Sequence, residues 1–297
     1  MFKSLIRTFA IVAAFIAGYM MPGLHVYSWM FKWMLIVMLF VTFLGIRFKR
    51  MKPERAHWLL TGANLMVALA AWGVCRLVFG DGYLAQAAFF VGIMPTAAAP
   101  VVMGLLGGSV EFMLTALLLI NGIICALLPF ILPAVVGRGG FEIYLNVAQN
   151  ISLVMLLPLA LALAARRFYP RAIAWPRKLK DVTFGIWVVI LVLIAANASY
   201  DISSREGISE RVLEQIGVIA LLVCGVNFGL GYLLGGRTRA AECSQALGQK
   251  NTTLSIYLAL TYASPIAALG PTFYVLWHNL WNAWQLYRAS ERKRRDG

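Results

Sequence analysis

Charged side chains are scarce in this chain of 297 residues, where Lys, Arg, Asp and Glu together make up 13% of the sequence. Soluble domains carry about 25%. Hydrophobic residues reach 61%, and the mean hydropathy is +0.78. One water-soluble core of this length cannot bury that much apolar surface. The composition therefore predicts a membrane protein and argues against a soluble domain.

Cysteine and histidine are also rare, with four Cys and three His in the chain. The Cys residues stand singly inside apolar runs without a C-x-x-C pair or a neighbouring His, which argues against both a disulfide framework and a metal site. No apolar run carries a pair of acids, a Ser/Lys set or a Cys/His set. We therefore predict no catalytic residues, no metal and no cofactor, and we do not expect an enzyme.

Basic residues outnumber acidic ones by 26 to 12, which gives a formal net charge of +14. A nucleic-acid interface would gather this charge on one folded face, whereas here Lys and Arg separate long apolar runs. With a cytoplasmic N-terminus, 20 of the 26 basic residues fall in cytoplasmic segments. This asymmetry predicts a multi-pass protein of the inner (plasma) membrane with both termini in the cytoplasm. The partners we expect include anionic lipid headgroups and exclude nucleic acid.

The apolar runs are long enough to cross a hydrocarbon layer of about 30 Å as helices. Ten are predicted: Leu5–Met21, Tyr27–Ile46, Trp58–Phe79, Tyr83–Leu106, Val110–Val136, Tyr144–Phe168, Val182–Tyr200, Val212–Leu234, Ala241–Ala263 and Ala268–Ala289. Two sets of five helices enter the membrane from opposite sides, which is the topology of an inverted repeat. We predict an all-α fold with one repeat in residues 1–137 and the other in residues 138–297.

Two predicted spans, the fourth of each set, are interrupted near their middles. The first contains Pro95, Thr96 and Pro100, and the second contains Gln245, Gln249, Lys250, Asn251 and Thr252. Broken helices at matching positions point to a binding site at the membrane midplane, because their ends expose unpaired backbone groups. These eight residues are our candidates for substrate or coupling contacts. The alternative is that Pro only kinks a helix.

Lys250 is the one ionisable residue deep in a predicted span, where a charge costs about 2.5–3.5 kcal/mol on insertion scales. Backbone carbonyls together with a bound anion could hold it, or it could be partly neutral. A purely structural role at the broken helices stays open. Asn150 and Asn227 are further candidates for substrate contact. We expect Asn64, Asn121 and most other polar residues in the spans to bond helix to helix, and His278 to be a packed core residue.

The two interrupted spans resemble those of the bile acid:sodium symporter family. The family's E-x-G-x-Q-N-x-x-L motif aligns with Ala246, Gly248, Lys250, Asn251 and Leu254, and its P-G-G-T-x-S-N motif begins at Pro95. The resemblance implies ten helices in which the broken fourth and ninth helices cross. It also implies a panel of helices 1, 2, 6 and 7 and a core of helices 3–5 and 8–10.

The departures from the family motifs concern the sodium ligands. By the resemblance, these ligands would fall at positions that hold Ala246, Lys250, Pro100 and Val101, and none of these side chains offers an oxygen. An ammonium group stands where a cation is expected. The related arsenite carriers use a Cys in the first broken helix, and none occurs between Tyr83 and Leu106.

These observations predict a secondary transporter that moves a small organic anion by alternating access. Sodium would not be required, because Lys250 replaces the coupling cation, and protons are a further possible coupling ion. A sodium-coupled symporter of the same family and a non-transporting membrane sensor or channel are the alternatives.

Overall fold

The computed structural model describes residues 2–46, 51–80, 82–97, 99–204 and 210–295. The named elements are helices joined by short connections. The α-helices are α1 (Phe2–Met20), α2 (Met30–Leu44), α3 (Arg55–Phe79), α4 (Tyr83–Ile93), α5 (Ala99–Leu106), α6 (Val110–Val136), α7 (Phe141–Phe168), α8 (Trp175–Lys178), α9 (Lys180–Ser204), α10 (Glu210–Gly248), α11 (Thr252–Tyr262) and α12 (Pro265–Arg295). Two short 3₁₀ helices, Pro22–Tyr27 and Pro170–Ala174, each begin at a proline.

The prediction of an all-helical fold is confirmed. In the described part of the chain, five helices are long and apolar enough to cross a membrane: α3, α6, α7, α9 and α10. Helices α2 and α4 are shorter but also apolar. This architecture suits a lipid environment, since a helix satisfies its backbone hydrogen bonds internally where no water is present.

The fourth predicted span is divided in the structure into α4 and α5. The eighth predicted span and the start of the ninth both lie in α10, and a sharp kink in this helix falls between them. Gly236 lies at φ 56°, and Arg239 also leaves helical geometry. Glycine adopts this left-handed conformation without a steric penalty, so the chain changes direction here without a long loop. The remainder of the ninth predicted span is α11.

The chain separates into two compact units, each built from two stretches of sequence. The first unit is Met1–Phe48 with Leu128–Ile208, and the second is Lys49–Leu127 with Ser209–Gly297. The first unit therefore contains α1, α2, α7, α8 and α9 and the end of α6. The second contains α3, α4, α5, α10, α11, α12 and most of α6. Neither unit coincides with a half of the sequence, and the predicted repeats at residues 1–137 and 138–297 stay predictions.

Within the first unit, α1 packs on α9 and α2 packs on α7. The Ser199 hydroxyl donates to the Tyr19 carbonyl at 2.8 Å, which ties α9 to the end of α1. Helices α2 and α7 are also joined by a hydrogen bond. Just after the end of α2, the Ile46 carbonyl accepts it from the Arg166 guanidinium of α7.

Within the second unit, α3 packs on α4, and α10 packs on both α3 and α12. The kink in α10 is held by an ion-pair cluster in which Arg239 contacts Glu54 at 3.0 Å and Glu242 at 3.6 Å. Glu242 also accepts the backbone N–H of Ser109 at 3.2 Å. These contacts join the starts of α3 and α6 to the kink and thereby position the second part of α10.

Candidate functional site

The two interrupted spans meet each other at their breaks. Thr96 and Lys250 form an isolated antiparallel bridge between the two short extended segments. The Ala97 N–H donates to the Gln249 carbonyl at 3.0 Å, and the Asn251 N–H donates to the Pro95 carbonyl at 2.8 Å. The gap in each helix is therefore bridged by the backbone of the other.

Local sequence explains why each helix stops. Proline disfavours helical geometry at the residue before it, and Met94, before Pro95, has ψ 131°. On the other side, Asn251 caps the new helix α11, because its side-chain oxygen accepts the Leu254 N–H at 3.3 Å. Asn is among the residues preferred at this N-cap position.

The carbonyl groups at the end of α4 and in the following extended segment receive donors from four other positions in the second unit. A helix leaves its last four carbonyls without internal partners, and these must be paired when buried. The pairs are Ser255 Oγ to Phe90 O at 2.8 Å, Lys250 Nζ to Gly92 O at 3.1 Å, Asn64 Nδ2 to Ile93 O at 3.0 Å and Asn121 Nδ2 to Thr96 O at 2.8 Å. Side chains thus donate hydrogen bonds to the carbonyl oxygens at the break. We call the paired segments at residues 95–97 and 249–251 the crossing.

Lys250 lies at the centre of this crossing with 1% of its surface exposed. Its ammonium donates to Asn64 Oδ1 and to the Gly92 carbonyl. Both partners are neutral, and among the described residues Lys250 forms no ion pair with a carboxylate. The negative end of the α4 dipole favours a cation at this place. Lys250 therefore caps a helix end. In its protonated form it also carries a positive charge that no described carboxylate compensates.

The crossing brings together most of the candidate residues. Thr96 donates its hydroxyl to the Ala246 carbonyl at 2.6 Å. Gln249 contributes its backbone carbonyl to the crossing, and Thr252 begins α11 as a buried residue. Gln245 lies one turn before Gln249 on α10 and donates to Asn282 at 3.1 Å and to Gln285.

Three other candidate residues are described by the element or unit that contains them. Pro100 lies in the first turn of α5, and its side chain is outside the described residues. Asn150 belongs to the first unit, where it accepts a hydrogen bond from Lys32 at 3.0 Å. Asn227 lies in the second unit and donates to the Tyr274 hydroxyl at 3.2 Å.

The sequence interpretation missed the importance of Asn64 and Asn121 at this site. The sequence predicted for both only a hydrogen bond between two helices. Asn64 does bond the last residue of α4, Ile93, and Asn121 bonds Thr96 in the segment that follows α4. Their partners, however, are the terminal carbonyls of the broken helix and the Lys250 ammonium. The available signal was an Asn deep in an apolar span, which marks polar surroundings without identifying them.

Position 246, where the resemblance places a sodium ligand, offers no side-chain oxygen. The Ala246 side chain is a methyl group, and its carbonyl already accepts the Thr96 hydroxyl. Among the described residues, no group of three or more His, Cys, Asp or Glu side chains is arranged to hold a metal ion.

Comparison with known proteins does not assign the chain to a family. No protein-family model matches it, and no curated protein sequence matches it.

Proposed function

We propose that this protein is a secondary transporter of a small organic anion that works by alternating access without sodium. The observation that carries the proposal is the buried Lys250 ammonium, which lies where two broken helices meet and whose described partners are neutral oxygens. In the proposed mechanism, Lys250 supplies the positive charge that a coupling cation would otherwise bring to the crossing.

The anionic nature of the substrate follows from the charge at the crossing. A buried ammonium with only neutral partners gives the interior a net positive potential, and the low dielectric constant there strengthens its attraction for an anion. A cationic substrate would be repelled from the same place. The nearby helix ends add polar groups that orient an anion once it is bound.

The remaining architecture in this proposal is ten membrane-crossing helices in two inverted repeats, with both termini in the cytoplasm of an inner (plasma) membrane protein. One set of helices, the panel, comprises predicted spans 1, 2, 6 and 7. It moves relative to the core, which comprises the other six predicted spans. The support comes from the charge distribution along the sequence and from the two broken helices. Anionic lipids are expected around the basic cytoplasmic segments. Protons remain a candidate coupling ion.

A two-stage experiment tests the proposal. Purified protein is first screened against a panel of organic carboxylates, sulfonates and phosphates for an increase in thermal stability, since a ligand of the folded state raises it by mass action. Ligands found in this way are then tested for saturable uptake into proteoliposomes, with Lys250→Gln as the matched variant. We expect uptake by the wild type and its loss in the variant.

The outcomes of the uptake measurement separate the alternatives. Ligand binding without any flux would contradict transport and favour a membrane sensor. Flux that does not saturate with concentration would favour a channel. Saturable uptake that requires sodium would instead establish a sodium-coupled symporter and overturn the role given to Lys250.

A further inference from the structure

Four buried side-chain atoms in the described part of the protein have no hydrogen-bond partner, and they lie on α10, on the residue that follows it and on α12. They are Asn227 Oδ1, Gln245 Oε1, Gln249 Oε1 and His278 Nδ1. Buried polar atoms in native proteins are nearly always paired with protein or with ordered water, so each exception needs an explanation. Because α10 packs on α12 and Gln249 directly follows α10, we look for one common cause.

The unpartnered atoms belong to one polar seam, where the second part of α10, Gln249 after it and Asn227 in the first part of α10 meet α12. On α12, the residues Tyr274, His278, Asn282 and Gln285 recur at helical spacing and share a face. Hydrogen bonds at two places fix how this face meets α10. The Tyr274 hydroxyl donates to the Gly248 carbonyl at 2.6 Å. The Gln245 amide donates to Asn282 Oδ1 at 3.1 Å and to Gln285 Oε1.

These contacts show that the two helices run antiparallel along the seam. Position 248 of α10 meets position 274 of α12, and position 245 meets positions 282 and 285. The intervening His278 on α12 and Gln249, the residue that follows α10, therefore lie along the same stretch. Asn227 joins it through Tyr274 at 3.2 Å.

The seam is deeply buried at one end and open at the other. Asn227, Gln245 and Tyr274 have no exposed surface, whereas Gln285 is half-buried. Beyond Gln285 comes the basic end of α12, where Arg288 is exposed and lies over the Trp284 ring at 5.3 Å. The deep end reaches the Gly248 carbonyl, two residues before Lys250. From Tyr274 to Gln285 the seam is about 16 Å long at 1.5 Å per residue.

We propose that this α10–α12 seam holds a file of ordered water molecules that connects the helix crossing with the basic end of α12. Three of the unpartnered atoms are amide oxygens and the fourth is a ring nitrogen, all of which can accept the hydrogen bonds that water donates. Buried water typically bonds two to four such groups. The file gives the Lys250 crossing an aqueous connection to one side of the membrane. The inference does not depend on transport.

Water is a better occupant than a metal ion or dry packing. The seam contains amides, an imidazole and a phenol but no carboxylate to compensate the charge of a cation. Dry packing would leave four polar atoms unpaired, each at a substantial cost in a membrane interior. A single file of water gives each of these four atoms a hydrogen-bond donor without adding charge to the seam.

Radiolytic hydroxyl-radical footprinting of the unmodified full chain in detergent tests the proposal, because side chains beside bound water are oxidised even when buried. His278 is compared with His57, a buried histidine whose two ring nitrogens contact the Glu54 N–H at 2.8 Å and the Phe112 carbonyl at 3.1 Å. We expect His278 to be oxidised several-fold faster than His57. An equal or lower rate at His278 would overturn the water file.

Two variants on α12 locate the water. Asn282→Leu removes a polar group from the seam, and we expect it to reduce His278 oxidation towards the rate of His57. Asn279→Leu is the matched control, because Asn279 bonds the Val275 carbonyl of its own helix at 2.7 Å. It should leave His278 oxidation unchanged. If both variants or neither reduced the oxidation of His278, the placement of the water in the seam would be wrong. The wild-type comparison stands even if a variant does not fold.

Discussion

The Lys250 ammonium has two roles in the proposed mechanism. It donates hydrogen bonds to a helix-terminal carbonyl and to Asn64, which stabilises the break in α4. It also places a positive charge in the interior beside neutral partners. The first role concerns stability and the second concerns ligand binding, so substitutions that separate donor capacity from charge can distinguish them.

Substitution of Lys250 by Gln and by Met tests the role as a hydrogen-bond donor. Both changes remove the charge, but Gln keeps an amide donor, whereas Met leaves Asn64 Oδ1 and Gly92 O without the donor they now have. A buried acceptor that loses its partner costs about 1–3 kcal/mol. We therefore expect Lys250→Met to unfold at a lower temperature than Lys250→Gln in the same detergent. Equal stability of the two variants would contradict the capping role.

Asn64→Asp tests the role of the uncompensated charge. This change puts a carboxylate next to the Lys250 ammonium and neutralises the crossing. We expect the concentration of anion needed for half-maximal thermal stabilisation to rise at least about tenfold, which corresponds to 1.4 kcal/mol. Asn64→Ala is the control, because it removes the amide without adding charge and should retain the anion effect. Unchanged anion affinity in Asn64→Asp would exclude Lys250 as the anion anchor.

At the scale of single elements, both breaks could be predicted from the sequence, since Pro95 and the polar run at 248–253 are incompatible with an uninterrupted apolar helix. The pairing of Thr96 with Lys250 could not. It joins residues far apart in the chain and depends on how α4, α10 and α11 pack. The roles of Asn64 and Asn121 were hidden for the same reason, since an Asn in an apolar span does not reveal which carbonyl it bonds.

The packing of α10 against itself provides a test at this scale. Gly248 lies so close to the Phe228 ring that a β-carbon at position 248 would collide with it. Overpacking of this kind typically costs about 1–3 kcal/mol. We expect Gly248→Ala to lower the unfolding temperature. Gly225→Ala, on the same helix and with open space around it, should leave that temperature unchanged or raise it. The account of the crossing would be wrong if the two variants were equally stable.

At the scale of the whole molecule, hydropathy was sufficient to predict the helical architecture. The thickness of the hydrocarbon layer sets the length of a membrane-crossing helix, so apolar runs of that length can be recognised in the sequence. Hydropathy alone could not predict two compact units that combine stretches from both halves of the sequence, whereas the family resemblance implied a panel and a core drawn from both halves. Hydropathy also does not reveal how tight the connection between the eighth and ninth predicted spans is, where a left-handed glycine lies at the kink.

The orientation in the membrane is a prediction about the whole molecule. Because basic residues are retained in the cytoplasm, the segment around Ile173, which is exposed and has basic neighbours, should face inwards. We expect a membrane-impermeant maleimide to label Ser204→Cys in intact cells and to label Ile173→Cys only after permeabilisation. The reverse pattern would invert the topology.

The central claim is that Lys250 takes the place of a coupling cation, and sodium dependence tests it most directly. The measurement is the unfolding temperature of the purified protein in sodium, potassium and choline chloride at equal ionic strength, with and without each anion of the panel. A bound ion that prefers the folded state must raise this temperature. We predict the same temperatures in all three salts, with any anion effect independent of the cation and absent in Lys250→Gln. A rise specific to sodium, alone or together with an anion, would contradict the claim.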